Sequence, residues 1–209
     1  MTINIRKLNQ IQKELENYPN SDLMVVTKNQ NIEDIKKLIA QGQAYFGENR
    51  VQEAMLKYFP LRNEYKFNLS LIGPLQSNKT KEALKLFNQI QSIDRPKIVD
   101  EILKFKNELS ITKSFFIQIN IGKENQKSGV MPDKFEALYS YCINLELPIE
   151  GLMCIPPSEV NPNKYFEEMI AIRNNTKTDL KLSMGMSNDY PMALKNGSNI
   201  LRIGSLIFK

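Results

Sequence analysis

Short apolar runs alternate along this chain with longer stretches in which apolar residues return every three or four positions. The first periodic stretch, roughly Ile5 to Tyr18, places Leu8, Ile11 and Leu15 on one helical face and stops at Pro19. LMVVT then reads as a short buried strand. Asn31 is placed to cap a helix carrying Ile32, Ile35, Leu38 and Ile39, which Gly42 closes. AYFG is a second strand, and VQEAMLKYF a helix with Val51, Met55 and Phe59 turned inward. NLSLIG is a strand, followed by a helix through Ala83, Leu84 and Phe87. QSID is a brief strand, and Pro96 opens a helix with Ile98, Ile102 and Phe105 inward. SFFIQINI is the longest strand. Pro132 opens a helix through Phe135, Leu138 and Cys142, and IEGLMCI follows as a strand. A helix runs from about Pro162 to Asn174. LKLSMG, a short helix from Asn188, and the strand NILRIG complete the chain.

Short buried strands alternating with amphipathic helices imply a parallel sheet. Eight such units closing on themselves make an α/β fold of the TIM-type (β/α)8 barrel class, with an open doubly wound sheet as the alternative. No Gly-rich dinucleotide fingerprint follows the first strand, which weighs against the open sheet. No helix is predicted after the eighth strand, so the N-terminal helix is expected to complete the outer ring. No linker or repeat divides the sequence, and residues 1–209 are expected to form a single domain.

In the strand LMVVT, three apolar residues lead straight to Thr27 and Lys28, and the chain then turns polar. A lysine delivered by a core element calls for a reason. Composition narrows what that reason is. With 42% hydrophobic residues in 209 the chain has ample material for a core. No window spans a bilayer, and MTINIRKLNQ lacks the apolar centre of a signal peptide, so no membrane association and a cytoplasmic location are expected. Cys142 and Cys154 read as two buried, reduced thiols. The net charge of +5 comes from lysines dispersed among Asp and Glu, without a basic stripe interleaved with aromatics, so no nucleic-acid partner is expected. There is no histidine. That removes the commonest metal ligand and every Ser-His or Cys-His nucleophile system, and no metal site is expected. Acid–base work falls to Lys, Tyr, Cys or a carboxylate.

Barrel chemistry gathers at the C-terminal ends of the strands. There the sequence places Lys28; Gly47, Glu48 and Asn49; Gly73, Gln76, Ser77 and Asn78; Asn120; Met153 to Pro157; Ser183 to Ser187; and Arg202, Gly204 and Ser205. The last two groups occupy the usual phosphate seat of such a barrel. Ser187 stands where it could cap a helix beginning at Asn188, whose N–H groups would meet an anion, with Asp189 expected to face away. Gly204 would let backbone approach closely, and Ser205 adds a hydroxyl. Lys28, if desolvated near cations, could attack a carbonyl. A phosphorylated aldehyde matches both ends, and pyridoxal 5′-phosphate (PLP) is one. Arg202 would keep a pyridine nitrogen unprotonated, making the ring a poor electron sink.

The stretches VVTKN, YFGENRVQE, IGPLQSNKTK, QSID, FIQINIGKENQKSGV, GLMCIPP and LSMGMSNDYPMALKNGSNILRIGSLIF carry a resemblance that covers most of the chain. It resembles the pyridoxal-phosphate homeostasis proteins of the YggS/PROSC type, whose barrel is like the N-terminal domain of alanine racemase. The resemblance implies that Lys28 is a Schiff-base lysine and that Arg202 faces the pyridine nitrogen. It implies that Ser187, Gly204 and Ser205 hold the phosphate, and that Asn49, Met184 and Gly185 line the pocket. Two positions depart from the family: Ser70 and Pro74 stand where histidines are common, and both are expected beside the ring.

Three functions fit these residues. The first is a binder that buffers or delivers PLP, with PLP-dependent apo-enzymes as the recipients. The second is a PLP-dependent racemase-like enzyme, and the third a Schiff-base aldolase acting on a phosphorylated sugar. Racemisation needs an acid–base group on each face of the substrate, and a second domain to supply the partner group is absent from the sequence. Binding without strong turnover is therefore favoured, with no residue assigned a catalytic role. Nothing demands a dimer, and a monomer is expected.

Overall fold

Eight parallel strands pair in chain order and close on themselves: β1 (Asp22–Val26), β2 (Tyr45–Glu48), β3 (Asn68–Leu71), β4 (Gln89–Ile93), β5 (Ser114–Ile119), β6 (Ile149–Cys154), β7 (Lys181–Ser183) and β8 (Ile200–Ile203). The seam joins β8 to β1, with Asp22 opposite Ile200 and Val25 opposite Ile203. This is the TIM-type barrel expected from the alternating pattern, seen in a computed structural model that describes residues 3–109, 111–158, 160–176 and 178–208. No helix among the described residues is long and apolar enough to cross a membrane.

Helices α1 (Ile5–Leu15), α2 (Ile32–Ala40), α3 (Val51–Tyr58), α4 (Thr80–Leu86), α5 (Pro96–Leu109), α6 (Phe135–Asn144), α7 (Asn163–Asn174) and α8 (Tyr190–Lys195) ring the sheet. Their apolar stripes pack on the outward strand residues, such as Val25, Leu69, Ile117, Leu152 and Leu201, to form the main core. Asn31 caps α2 as expected, its side chain accepting from the Asp34 N–H, and Gly42 ends the turn after it at φ +84°. The N-terminal helix α1 fills the slot left on the outer ring. Gln12 reaches Gln43, which follows α2, and the Tyr190 hydroxyl of α8 donates to Glu14. The Asn4 N–H donates to the Ile207 carbonyl, and Ile3 forms an antiparallel bridge with Phe208, so the chain's two ends are tied together.

Three local expectations are corrected. In α3 the inward residues are Val51, Ala54 and Tyr58, while Phe59 is 59% exposed and Met55 only partly covered. Tyr58 takes the core position because its ring packs against Phe46 and Phe67 and its hydroxyl reaches Thr27. Phe59 has already left the helix for a tight 3-10 turn at Pro60–Asn63. Pro132 opens a 3-10 turn, and α6 itself begins at Phe135. The last helix begins at Tyr190 rather than Asn188, because residues 187–189 form a turn.

The interior of the barrel is divided. Met24, Phe116, Met153 and Ile200 make a small apolar cluster, with Tyr45, Ile72 and Ile155 packed against it. At the other end of the interior Tyr45, Ser70, Gln89, Gln91 and Ser114 form a polar layer bonded to one another. Gln91 Nε2 donates to Gln89 Oε1 at 2.5 Å, Tyr45 OH donates to the same oxygen at 2.8 Å, and Ser70 Oγ reaches both Tyr45 OH and Gln89. Gln89 Nε2 closes the layer on Ser114 at 3.0 Å. Buried polar groups are tolerated when each finds a partner. That satisfied layer lets glutamines and serines occupy strands that the apolar pattern alone would fill with aliphatics.

Candidate functional site

The β1 ladder runs one residue past the strand, the Thr27 N–H donating to the Gly47 carbonyl at 3.0 Å. Side chains alternate between the two faces of a strand. Met24 is interior and Thr27 is outward, bonded to Glu48 and Tyr58 behind the barrel wall. Lys28 shares the parity of Met24 and Val26, so it emerges into the barrel mouth at the C-terminal end. It is exposed, and among the described residues its side chain makes no hydrogen bond or ion pair, while its backbone carbonyl accepts from Gln30 Nε2 at 3.4 Å. Val26 lies opposite Gly47, and the same register carried two residues on sets Lys28 beside Asn49. On the other side β8 brings Gly204 against Val26, where an added Cβ would lie 3.1 Å from the Val26 carbonyl oxygen.

Arg202 points inward from β8 and is 3% exposed. Its guanidinium donates through Nη1 to Ser183 Oγ at 2.8 Å and through Nη2 to the Cys154 carbonyl at 2.6 Å. Ser183 donates onward to Gln91 Oε1 at 2.7 Å, which ties the arginine to the polar layer below. No carboxylate pairs with it among the described residues, and burial pulls the guanidinium below its ordinary range. A buried cation with only neutral partners is an expensive arrangement. It favours a site for an anion or an electron-rich acceptor.

The turn after β7 faces this arginine, with the Arg202 N–H donating to the Gly185 carbonyl at 2.9 Å. Gly185 lies at φ +94°, a conformation that side chains disfavour. Ser187 does not cap α8. That place belongs to Asp189, whose carboxylate accepts from the Met186 N–H at 2.5 Å and is thereby engaged by its own turn. Among the described residues, the N–H groups of Ser187, Asn188 and Ser205 and the hydroxyls of Ser187 and Ser205 make no hydrogen bond. They form a donor set at the end of β7 and β8.

Met184, expected to line the pocket, has the wrong parity: its side chain is fully buried in the outer core, and its backbone already pairs with Ile200 and Ser198. Ser70 belongs to the polar layer and lines a depression at the N-terminal end of the barrel with Asp22, Tyr45 and Gln89, away from the mouth where the ring was expected. Asn120 folds back on its own loop, bonding Glu124 and the Lys127 carbonyl. Burial pushes the unpaired thiols of Cys142 and Cys154 up to about 12, leaving them unreactive.

Comparison with known proteins bears directly on this arrangement. The family model described as alanine racemase, N-terminal domain, matches residues 4–209. A pyridoxal phosphate homeostasis protein of Aquifex aeolicus is 36% identical over 97% of this chain and 94% of its own. One from Pasteurella multocida is 37% identical over 89% and 84%. The chain belongs to the pyridoxal phosphate homeostasis protein family. The solved structure of PipY from Synechococcus elongatus with PLP bound superposes with a TM-score of 0.86 at 29% identity, covering 98% of this chain and 99% of that one. An alanine racemase of Clostridium difficile shares the fold at a TM-score of 0.68 and 15% identity, this chain covering 56% of its length.

Glu48, which the sequence places at the end of β2, is joined in the structure by Glu53 and Lys57 of α3, which the strand ends do not reveal. Behind Lys28, the wholly buried Glu48 accepts from Thr27 Oγ1 at 2.7 Å and pairs with Lys57 at 2.5 Å. Lys57 also pairs with Glu53 at 2.8 Å and donates to the Thr27 carbonyl at 2.8 Å. The Asn29 N–H donates to Glu53 at 2.6 Å. A carboxylate closing the strand YFGE, with Glu53 and Lys57 at helical i,i+4 spacing, was the available signal.

The second Glu48 oxygen is buried without a partner, and burial outweighs Lys57 in pushing this carboxyl above its ordinary range. The folded protein therefore holds the Glu48 proton more tightly than the unfolded chain does. This contribution to stability falls as pH rises from the ordinary carboxylate value towards the raised one, and is level beyond it. Glu48→Gln keeps an acceptor for Thr27 and removes that fall. Urea unfolding midpoints measured across this window should decline less steeply with pH in the variant than in the wild type. Identical slopes would show that Glu48 does not titrate differently on folding.

Proposed function

We propose that this protein holds PLP at the barrel mouth as a Schiff base on Lys28, in a carrier role for intracellular vitamin B6 rather than as a strong catalyst. The observation that carries the proposal is one of parity. Lys28, free of partners, enters the same mouth as the inward-facing Arg202 and the unpaired donors of Ser187 and Ser205. That donor set fits the group: an amine for the aldehyde, hydroxyl and N–H donors for a dianionic phosphate, and a cation for the ring nitrogen. When bound, PLP supplies an aldehyde carbon and a ring able to draw electrons from a substrate. The chain's own residues then do the rest. Lys28 Nζ would condense with the aldehyde carbon, the carbonyl oxygen leaving as water, while Ser187, Gly204 and Ser205 would hold the phosphate and Asn49 and Gly185 would border the ring. Arg202, which stays charged, leaves no proton on the ring nitrogen.

Holding the cofactor without strong turnover is supported by what reaches the mouth. Lys28 provides a proton-moving group on one face. Asn49, Ser187 and Ser205 are poor acids, and the Tyr45 phenol is committed to the polar layer with burial raising it further. PLP-dependent apo-enzymes are the recipients such a carrier would serve. One chain builds the whole mouth, so a monomer suffices. The cytoplasm keeps the two thiols reduced.

Lys28→Ala should fold normally, because Lys28 packs against nothing, and should carry no covalent PLP after borohydride reduction and peptide mass analysis. Label on a different lysine would overturn the assignment. In the wild type loaded with PLP, exchange of the α-proton of added amino acids should stay near the rate with free PLP; an exchange rate orders of magnitude higher would favour a racemase-like enzyme.

Ser187→Ala and Ser205→Ala should each weaken PLP binding by about 1.5–3 kcal/mol, the worth of a hydrogen bond to a charged group. Pyridoxal, which lacks the phosphate, should bind both variants as it binds the wild type. Equal losses for the two ligands would place the phosphate elsewhere.

A further inference from the structure

Lys28 lies beyond the last residue of β1, where a chain ordinarily loosens, yet both peptide units flanking it are gripped from outside the barrel wall. Before it, the Thr27 carbonyl accepts from Lys57 Nζ at 2.8 Å, and Thr27 Oγ1 is bonded to Glu48 at 2.7 Å and to the Tyr58 hydroxyl at 2.6 Å. After it, the Asn29 N–H is held by Glu53 at 2.6 Å, with Asn29 in the left-handed region at φ +61°. Glu53 and Lys57 sit one turn apart on α3 and pair at 2.8 Å. Glu48, on β2, completes the set as the second carboxylate on the same ammonium. An ammonium has three donors, and Lys57 spends all three on Glu48, Glu53 and Thr27. Its side chain is 10% exposed, so solvent competes little for those bonds.

We propose that Lys57 and Glu53 are positioning residues for Lys28: together they clip the backbone on both sides of it, so that its Nζ enters the mouth in one direction. Neither side chain touches the ligand site. Both act through the main chain on either side of Lys28, at the Thr27 carbonyl and the Asn29 N–H. The clip converts a loop residue into one oriented by rigid elements, and pre-orientation of a nucleophile speeds attack without changing how tightly the partner is held.

This proposal rests on Lys28 as the PLP lysine, and its test separates the two. The first measurement needs no ligand. Hydrogen exchange of the Asn29 amide in Glu53→Ala, which removes its acceptor, should quicken at least tenfold over wild type, while Val25 within β1 is unaffected. The second compares two ligands. PLP couples to Lys28 at a measurable rate, whereas pyridoxine 5′-phosphate carries an alcohol in place of the aldehyde and reports binding alone. Lys57→Met should slow coupling at least tenfold and Glu53→Ala about threefold, with the affinity for pyridoxine 5′-phosphate within twofold of wild type in each. Coupling at the wild-type rate in both variants overturns the proposal. A parallel loss of affinity for pyridoxine 5′-phosphate also overturns it, because the cluster then shapes the pocket as a whole. Should Lys57→Met fail to fold, Glu53→Ala, at a side chain that is partly exposed, decides the matter alone. If the wild type binds pyridoxine 5′-phosphate but never couples PLP to Lys28, the assignment of Lys28 is what fails, and the exchange measurement still reports whether the clip exists.

Discussion

Successive side chains on a strand point to opposite faces, and closing the sheet turns one of those faces into an interior with a single polar mouth. In β1 that constraint separates two neighbouring residues completely. Thr27 goes out to a buried carboxylate and a tyrosine hydroxyl, and Lys28 goes in, towards the arginine of β8. A slip of one residue in the register of β1 against β2 and β8 would bury Lys28 among the helices and present Thr27 to the mouth. The apolar cluster of Met24, Phe116, Met153 and Ile200 fixes the register, because those residues fill the interior only in this setting.

Among the described residues two cations are buried, Lys57 and Arg202, and they are treated differently. Lys57 is surrounded by acceptors, two of them carboxylates, and its charge is overcompensated where it stands. Arg202 receives only a serine hydroxyl and a backbone carbonyl. The first arrangement is closed and serves the architecture around β1. The second leaves positive charge directed at the mouth, and a ligand with an anionic phosphate and a ring nitrogen would complete it. A carboxylate beside Arg202 would have made a more self-sufficient barrel and a poorer anion site.

Alanine racemase shares this barrel but has nearly twice the length, and fold likeness at 15% identity says nothing of shared activity. In the proposed function the mouth itself would favour holding PLP over turning substrates over: a proton acceptor would be available from one side and an arginine would damp ring electronics. Both effects would reduce carbanion chemistry while leaving a covalent link to a lysine intact.

The sequence by itself determined the class of fold, because strand-length apolar runs and helix-period stripes alternate eight times and a buried parallel sheet is the way to satisfy both periods. It determined that Lys28, Arg202, Gly204 and Ser205 stand at strand ends, since strand ends are read from the same pattern. It also excluded histidine chemistry. What it did not carry was direction. That Met184 turns into the outer core, that Phe59 is exposed while Tyr58 is buried, and that Asp189 rather than Ser187 stands at the N-cap position of α8 depend on parity and on which neighbour claims a site first. The polar layer from Arg202 through Ser183 and Gln91 to Tyr45, and the bonds that carry Glu48, Glu53 and Lys57 to Thr27 and Asn29, join residues far apart in the chain. A hydrogen bond between such residues has no signature in local periodicity. Only closure of the barrel, which brings β2, α3 and β1 to one corner and β4, β7 and β8 to one interior, decides that those partners meet.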